Sequence, residues 1–206
     1  KNFDLPQEYL AVGNWAAELI KELMGYLTGS TGLIRPTFEE YPNRYPQKDT
    51  IVFCPKAPAF RYTTQDLIDH FSGKNLKQLV LINPDNPSGN YLDHAQIDQL
   101  LDWSREMGIR LIVDESFIDF ADEPDATLLR SDLLNANPHL IVVKSISKSY
   151  GVPGLRLGIL ASSDRQVVRH MKSHVAIWNI NSFAEFYLQI AEKYQKEYQE
   201  SLEKLR

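Results

Sequence analysis

Short apolar runs alternate with amphipathic stretches along most of this chain. The apolar runs predict strands at residues 32–35, 50–55, 78–83, 109–114, 139–145 and 156–161. The centres of the third and fourth runs are continuously apolar, as expected for strands that are covered on both faces. Strands that alternate with helices are typical of a mostly parallel sheet between two helical layers. We therefore predict an α/β fold with a three-layer α-β-α arrangement.

Helix-start signals lie between the predicted strands. Asp93 precedes Gln96 by three residues, and this capping-box pattern predicts a helix that runs to about residue 107. Ser163 and Gln166 repeat the pattern and predict a second helix that runs towards residue 172. An earlier helix is expected to begin near Ala16, since apolar residues recur at helical spacing after it.

Residues 182–206 differ from the rest of the chain. They contain no Gly or Pro and are rich in Glu, Lys, Gln and Tyr. An apolar stripe follows helical spacing at Phe183, Phe186, Tyr187, Ile190 and Tyr194. We predict an α/β body over residues 1–180 and a long helix over 181–206, and a long helix that leaves such a body usually leads to another domain.

Composition narrows the kinds of partner and compartment. The 206 residues include 22 Lys and Arg against 27 Asp and Glu, a net charge of −5, which argues against nucleic acid and anionic membranes. No stretch approaches the ~18–20 apolar residues of a membrane span, and no signal-peptide pattern is present. The single Cys54 excludes a multi-cysteine metal cage, and His170 and His174 have no evident third ligand. We expect a cytoplasmic protein that holds no metal.

Three polar segments follow predicted strands, at the positions where parallel sheets bind ligands. Residues 83–89 contain two X-Pro bonds and a Gly, so they form a rigid turn. This turn either only reverses the chain or also aims the Asn86 amide at a ligand. Asp114 ends an apolar run, and a buried carboxylate there requires a positive partner. A helix cap or a salt bridge would satisfy it as well as a ligand.

The third segment, residues 145–158, places Lys148 among hydroxyl groups, glycines and an arginine. A lysine that is desolvated near other cations becomes a nucleophile able to form a Schiff base. Ser145, Ser147 and Arg156 carry donors suited to a phosphate, and Arg156 can bind it bidentately. The alternative is a solvated surface lysine in a flexible loop.

Together the three segments supply what pyridoxal phosphate requires. This cofactor needs a lysine for its aldehyde, an acid at its ring nitrogen, a donor at its phenolic oxygen and a phosphate cradle. Lys148, Asp114 and Asn86 fit the first three requirements, and the donors of segment 145–158 fit the fourth.

The ordered motifs resemble those of fold-type I pyridoxal-phosphate enzymes, the class I and II aminotransferases. N-P-x-N-P-S-G, D-E-S-F and S-x-S-K-x-x-G-x-x-G-L-R-x-G occur in the family's order, and the likeness covers essentially the whole chain. Within the family, the chain is most similar to the histidinol-phosphate aminotransferase and threonine-phosphate decarboxylase branch. The resemblance implies an antiparallel strand at 156–161, transamination of an amino acid or amino-acid phosphate through a Lys148 Schiff base, and a homodimer.

Two alternatives follow from the same resemblance. One is decarboxylation of a phosphorylated amino acid. The other is a catalytically incomplete cofactor-binding fragment, because the family's N-terminal arm should precede Lys1 and its small domain should follow Arg206.

The resemblance also covers two earlier segments. Residues 13–18 resemble the family's G-N-G-x-x-E turn, in which the N–H groups of Ala16 and Ala17 would bind the cofactor phosphate. Trp15 stands where the family has Gly, so either the backbone is strained or the loop has shifted. Residues 36–41 resemble the segment that stacks an aromatic ring on the cofactor, and Phe38 is the candidate, or else a core aromatic.

Three further positions follow from the resemblance. Phe117 replaces the family's Tyr and cannot donate a hydrogen bond. Phe117 and residues 177–181 look closer to threonine-phosphate decarboxylase, and Asn181 either approaches the substrate or caps the last helix. Lys144 is near Lys148 in sequence, and strand alternation turns it elsewhere unless its charge acts on Lys148.

Overall fold

The computed structural model describes residues 5–123, 125–176 and 178–205. Within these ranges one seven-stranded sheet has the order β1-β7-β6-β5-β4-β2-β3. Its strands are β1 (Leu10–Asn14), β2 (Thr31–Ile34), β3 (Thr50–Phe53), β4 (Gln78–Ile82), β5 (Arg110–Asp114), β6 (Leu140–Ser145) and β7 (Leu157–Ala161). Only β7 runs antiparallel to its neighbours, β1 and β6. The α/β prediction is confirmed, and so is the antiparallel strand.

Helices cover both faces of the sheet. They are α1 (Ala16–Tyr26), α2 (Glu40–Asn43), α3 (Thr64–Phe71), α4 (His94–Glu106), α5 (Ser131–Ala136), α6 (Ile146–Ser149), α7 (Arg165–His174), α8 (Ser182–Ile190) and α9 (Gln195–Leu205). Alternate strand residues build two cores: Leu79 and Leu81 pack with α3, α4 and α5, whereas Val80 and Ile82 pack with α1 and α7. This alternation produces the three predicted layers.

The sequence pattern did not predict strand β1. Its apolar run is only Leu10, Ala11 and Val12, and it lies at the sheet edge with β7 as its neighbour. Two of these three residues remain half-buried, so the run lacks the continuous apolar signal of the central strands.

The two predicted capping-box starts have different outcomes. Asp93 caps α4, and its side chain accepts a hydrogen bond from the Gln96 N–H at 2.9 Å. The start at Ser163 is wrong by one residue: Asp164 caps α7 and accepts from the Gln166 N–H at 3.0 Å. The Ser163 hydroxyl instead donates to the carbonyl of Leu134.

The last segment is two helices joined by a 3₁₀ turn at Ala191–Tyr194, so the prediction of one long helix is wrong. The Tyr198 ring stacks on the Tyr150 ring with centroids 4.2 Å apart, and Leu202 is buried. Through these contacts α9 packs against the α/β body. The small domain beyond it stays a prediction. No helix in the described residues is long and apolar enough to cross a bilayer.

Leu81→Ala should destabilise the fold strongly. Leu81 is 0% exposed in the centre of β4, so truncation leaves a cavity and should cost about 2–5 kcal/mol of unfolding free energy. Urea unfolding followed by circular dichroism measures this loss. Leu205→Ala, at a position 69% exposed, is the matched control and should change stability by less than about 0.5 kcal/mol. Equal losses in both variants would contradict the assigned core.

Candidate active site

A cavity opens at the carboxyl ends of the central parallel strands, with an empty volume of about 370 Å³ that includes its mouth. Asn86 follows β4, Asp114 ends β5 and Ser145 ends β6, so the parallel arrangement carries all three to one edge. The lining residues are Trp15, Ala16, Phe38, Ile82, Asn86, Asp114, Ser116, Phe117, Ser145 and Lys148. Seven of the proposed site residues thus meet in one place.

Asp114 is the buried acid of this cavity. One carboxylate oxygen accepts a hydrogen bond from the Tyr41 hydroxyl at 2.8 Å, and the other accepts from the Ser116 N–H at 3.0 Å. Burial nevertheless raises the pKa of Asp114, against the opposing effects of these bonds and of the Lys148 charge. A buried carboxylate of this kind gains most from a ligand that brings an N–H and a positive charge.

Tyr41 is a site residue that sequence reasoning missed. It lies on α2, is completely buried, and burial together with the Asp114 carboxylate holds its pKa well above the ordinary value. Tyr41 is therefore a neutral phenol that donates to Asp114. The available signal was its position three residues after Phe38 in the segment that resembles the family's stacking motif.

Lys148 lies on α6, directly after β6, and is an exposed residue. Its side chain also lines the cavity. Its Nζ lies 5.4 Å from the Trp15 ring centroid and 5.8 Å from that of Phe117. The Lys144 Nζ is turned away from the cavity and contacts Asp119 at 2.9 Å, so the strand-alternation interpretation is confirmed.

One end of the cavity offers unused donors. Helix α1 begins at Ala16 without a side-chain cap, and the buried Ser145 hydroxyl has no hydrogen-bond partner among the described residues. A Cβ at Gly158 would lie 2.3 Å from the Ala16 nitrogen, so glycine is required for β7 to approach this helix start. Free N–H and O–H groups at a helix N-terminus suit a phosphate, so the residues present fit the phosphate of pyridoxal phosphate.

Other proposed phosphate ligands lie differently. The buried Ser147 hydroxyl accepts from the Leu157 N–H at 3.0 Å, so it ties α6 to β7 and does not line the cavity. Ala17 follows Ala16 in the first turn of α1 but is not a lining residue. Arg156 reaches the cavity through Trp15, on whose ring its guanidinium stacks at 3.4 Å.

Trp15 adopts φ 76°, so the backbone is strained where Trp replaces the family's glycine. Strain was one of the two alternatives for this position.

Phe38 is 37% exposed and lines the cavity, so its interpretation as a core aromatic is wrong. Asn86 and Phe117 are both half-buried there, and Phe117 offers no polar atom.

Asn181 caps α8. Its side-chain oxygen accepts from the Ala184 N–H at 2.9 Å and its amide donates to the Leu155 carbonyl at 3.1 Å. The capping alternative is confirmed, and Asn181 does not line the cavity.

Ile177, the first residue of the segment that looks closer to threonine-phosphate decarboxylase, lies outside the described residues. No cluster of three metal-ligating side chains occurs in the described ranges.

Known proteins share this sequence and fold. The profile of the family described as aminotransferase class I and II matches residues 35–206. L-serine phosphate decarboxylase from Sulfurospirillum multivorans is 33% identical over 203 residues, which cover 94% of this chain and 51% of that protein. Threonine-phosphate decarboxylase from Salmonella typhimurium is 29% identical over 188 residues, which cover 89% of this chain and 50% of that protein.

Among solved structures, a decarboxylase from Sulfurospirillum multivorans superposes with a TM-score of 0.85 at 29% identity. The match covers 98% of this chain and 58% of that one. The chain thus spans about half the length of these relatives.

Asp114→Asn should change the pH dependence of stability in the cofactor-free protein. The raised pKa of Asp114 means that its stabilising contribution is present below the unfolded pKa of about 3.9 and is lost as pH rises through the folded value. Asn keeps the shape without the charge. The stability of Asp114→Asn relative to wild type should therefore increase from acid to neutral pH, as measured by urea unfolding across that range.

Asp132→Asn is the matched control, because Asp132 is exposed and its pKa is lowered by Arg130. Its stability relative to wild type should show no such increase. A difference between Asp114→Asn and wild type that stays constant with pH would contradict the buried acid.

Proposed function

Because the chain belongs to the class I and II aminotransferase family, whose cofactor is pyridoxal phosphate, we propose that it is a pyridoxal-phosphate enzyme acting on an amino-acid phosphate. The observation that carries this proposal is the cavity that gathers Lys148, Asp114 and Asn86 beside unused anion donors. These three side chains come from different segments of the chain. A ligand that contacts all of them would explain why they lie in one cavity.

Each group has a role that its position supports. Bound pyridoxal phosphate supplies an aldehyde that links to an amine and a ring that accepts an electron pair. The exposed Lys148 amine would hold the aldehyde and, when free, would act as the base at the substrate α-carbon. The buried Asp114 carboxylate would keep a proton on the ring nitrogen, and the Tyr41 bond would hold that carboxylate in place.

The remaining lining groups would bind the ends and faces of the cofactor. The first-turn N–H groups of α1 and the Ser145 hydroxyl would hold the phosphate, with Arg156 beside them. The half-buried Asn86 amide would donate to the phenolic oxygen. Phe38 would cover one face of the ring.

Two reactions have comparable support. The family description favours transamination, the activity that the motifs first implied. The decarboxylases of serine phosphate and threonine phosphate, together with Phe117, favour decarboxylation of a phosphorylated amino acid. The same lysine and acid serve both, because they differ in which group leaves the α-carbon. The resemblance further supports a homodimer, and the composition supports a cytoplasmic location.

Covalent trapping tests the role of Lys148. Pyridoxal phosphate is added to the purified chain, the adduct is reduced with borohydride, and the modified lysine is located by peptide mass spectrometry. We expect the label on Lys148, and its loss in Lys148→Ala. Lys196→Ala, which removes an exposed lysine on α9, is the control and should retain the label. Label that persists in Lys148→Ala would overturn the assignment.

A substrate assay separates the two reactions. Phosphoserine and phosphothreonine are offered with pyridoxal phosphate and with 2-oxoglutarate as the amino acceptor, and released carbon dioxide and newly formed glutamate are both quantified. Carbon dioxide without glutamate identifies decarboxylation, and glutamate without carbon dioxide identifies transamination. Loss of the base in Lys148→Ala should reduce either rate by about 10²–10⁴-fold. Cofactor trapping without turnover would identify a cofactor-binding fragment.

A further inference from the structure

We propose that Trp15 is a positioning residue for Arg156, whose guanidinium its indole ring holds ready for a phosphate. The inference rests on the proposed use of pyridoxal phosphate. This gives a role to Trp15, which stands where the family's phosphate-binding turn has glycine.

The backbone couples the two residues. Trp15 has φ 76° and ψ 156°, and Arg156 has φ 58° and ψ 44°, so both are in the left-handed half of backbone space that favours glycine. The Trp15 N–H donates to the Arg156 carbonyl at 2.5 Å. A bulky residue persists in such a conformation only where its surroundings determine it, and such sites concentrate where ligands bind.

The side chains complete the coupling. The Arg156 Cζ lies 3.4 Å from the centroid of the Trp15 ring. A guanidinium that stacks through its face keeps its in-plane N–H groups free. Among the described residues, the stacking contact with Trp15 is the only interaction recorded for the Arg156 guanidinium, with no hydrogen bond or ion pair to a side chain. The Trp15 ring therefore restrains the position of the guanidinium and leaves its donors available.

Exposure makes this restraint useful. Arg156 is exposed, so without a restraint its long side chain would lose rotamer freedom whenever it bound a ligand. The Trp15 ring lines the cavity that also contains Ser145 and Lys148. The indole therefore holds the arginine at the cavity rather than in open solvent.

The experiment compares the binding of pyridoxal phosphate with that of pyridoxal, which lacks the phosphate. Dissociation constants of both are measured by absorbance titration for wild type, Trp15→Gly, Trp15→Leu and Trp15→Phe. Glycine removes the ring and relieves the backbone, leucine removes the ring alone, and phenylalanine keeps an aromatic face.

We expect Trp15→Gly and Trp15→Leu to lower the preference for pyridoxal phosphate over pyridoxal by about 2–5-fold, as for the loss of an exposed cation–π contact. Trp15→Phe should retain most of the preference for the phosphate. Trp15→Leu combined with Arg156→Ala should bind no more weakly than Arg156→Ala alone, because the ring acts through the arginine.

Trp178→Gly is the matched control. Trp178 is also at positive φ, 64°, but it is 93% exposed and does not line the cavity. Its replacement should leave both dissociation constants unchanged.

The outcomes separate the two proposals. If wild type binds neither compound, the proposed cofactor function is wrong and the inference falls with it. If wild type prefers pyridoxal phosphate and Trp15→Leu keeps that preference in full, the cofactor function stands and the positioning role is wrong. Additive losses from Trp15→Leu and Arg156→Ala would also overturn the positioning role.

Discussion

The burial of the Asp114 carboxylate at the end of β5 is the constraint on which the site depends. Asp114 pairs with Ile82 of β4 and Val143 of β6, so it is flanked on both sides by parallel strands. A carboxylate there requires donors, and Tyr41 and the backbone of Ser116 supply them. The same parallel register opens the cavity in front of it, since all these strands end at one edge. Asp114 is therefore a buried acid that faces the cavity and depends on these two donors.

A second buried charge cluster supports the neighbouring turn. The Lys144 Nζ contacts Asp119 at 2.9 Å and lies 3.9 Å from Glu115. Asp119 also accepts from the Ser149 hydroxyl at 2.6 Å. Removing one member of such a buried group typically costs about 3–5 kcal/mol, because the partner charge is left unpaired. This cluster fastens the residue next to Lys148, so the amine projects from a fixed support while remaining exposed.

Two positions of backbone strain lie next to the same cavity. Trp15 and Arg156 occupy conformations that cost free energy, yet both lie where α1 begins and β7 starts. Gly158 makes that junction possible by omitting a side chain. A buried acid and a strained backbone junction therefore lie on the same cavity.

The sequence by itself determined the layer architecture, the central strands and the identity of most site residues. Continuous apolar runs at β4 and β5 mark strands buried on both faces, and Lys148, Asp114 and Asn86 follow strand ends within ordered motifs. Such signals are local, so they survive without knowledge of the fold. Tertiary structure alone decided the contacts between distant segments. These are the hydrogen bond from Tyr41 to Asp114, the hydrogen bond from the Leu157 N–H to the Ser147 hydroxyl, and the stacking of Tyr198 of α9 on Tyr150. It also exposed Lys148 and paired β1 with β7. These features depend on which surfaces meet after the sheet assembles, and no local pattern of residues encodes that.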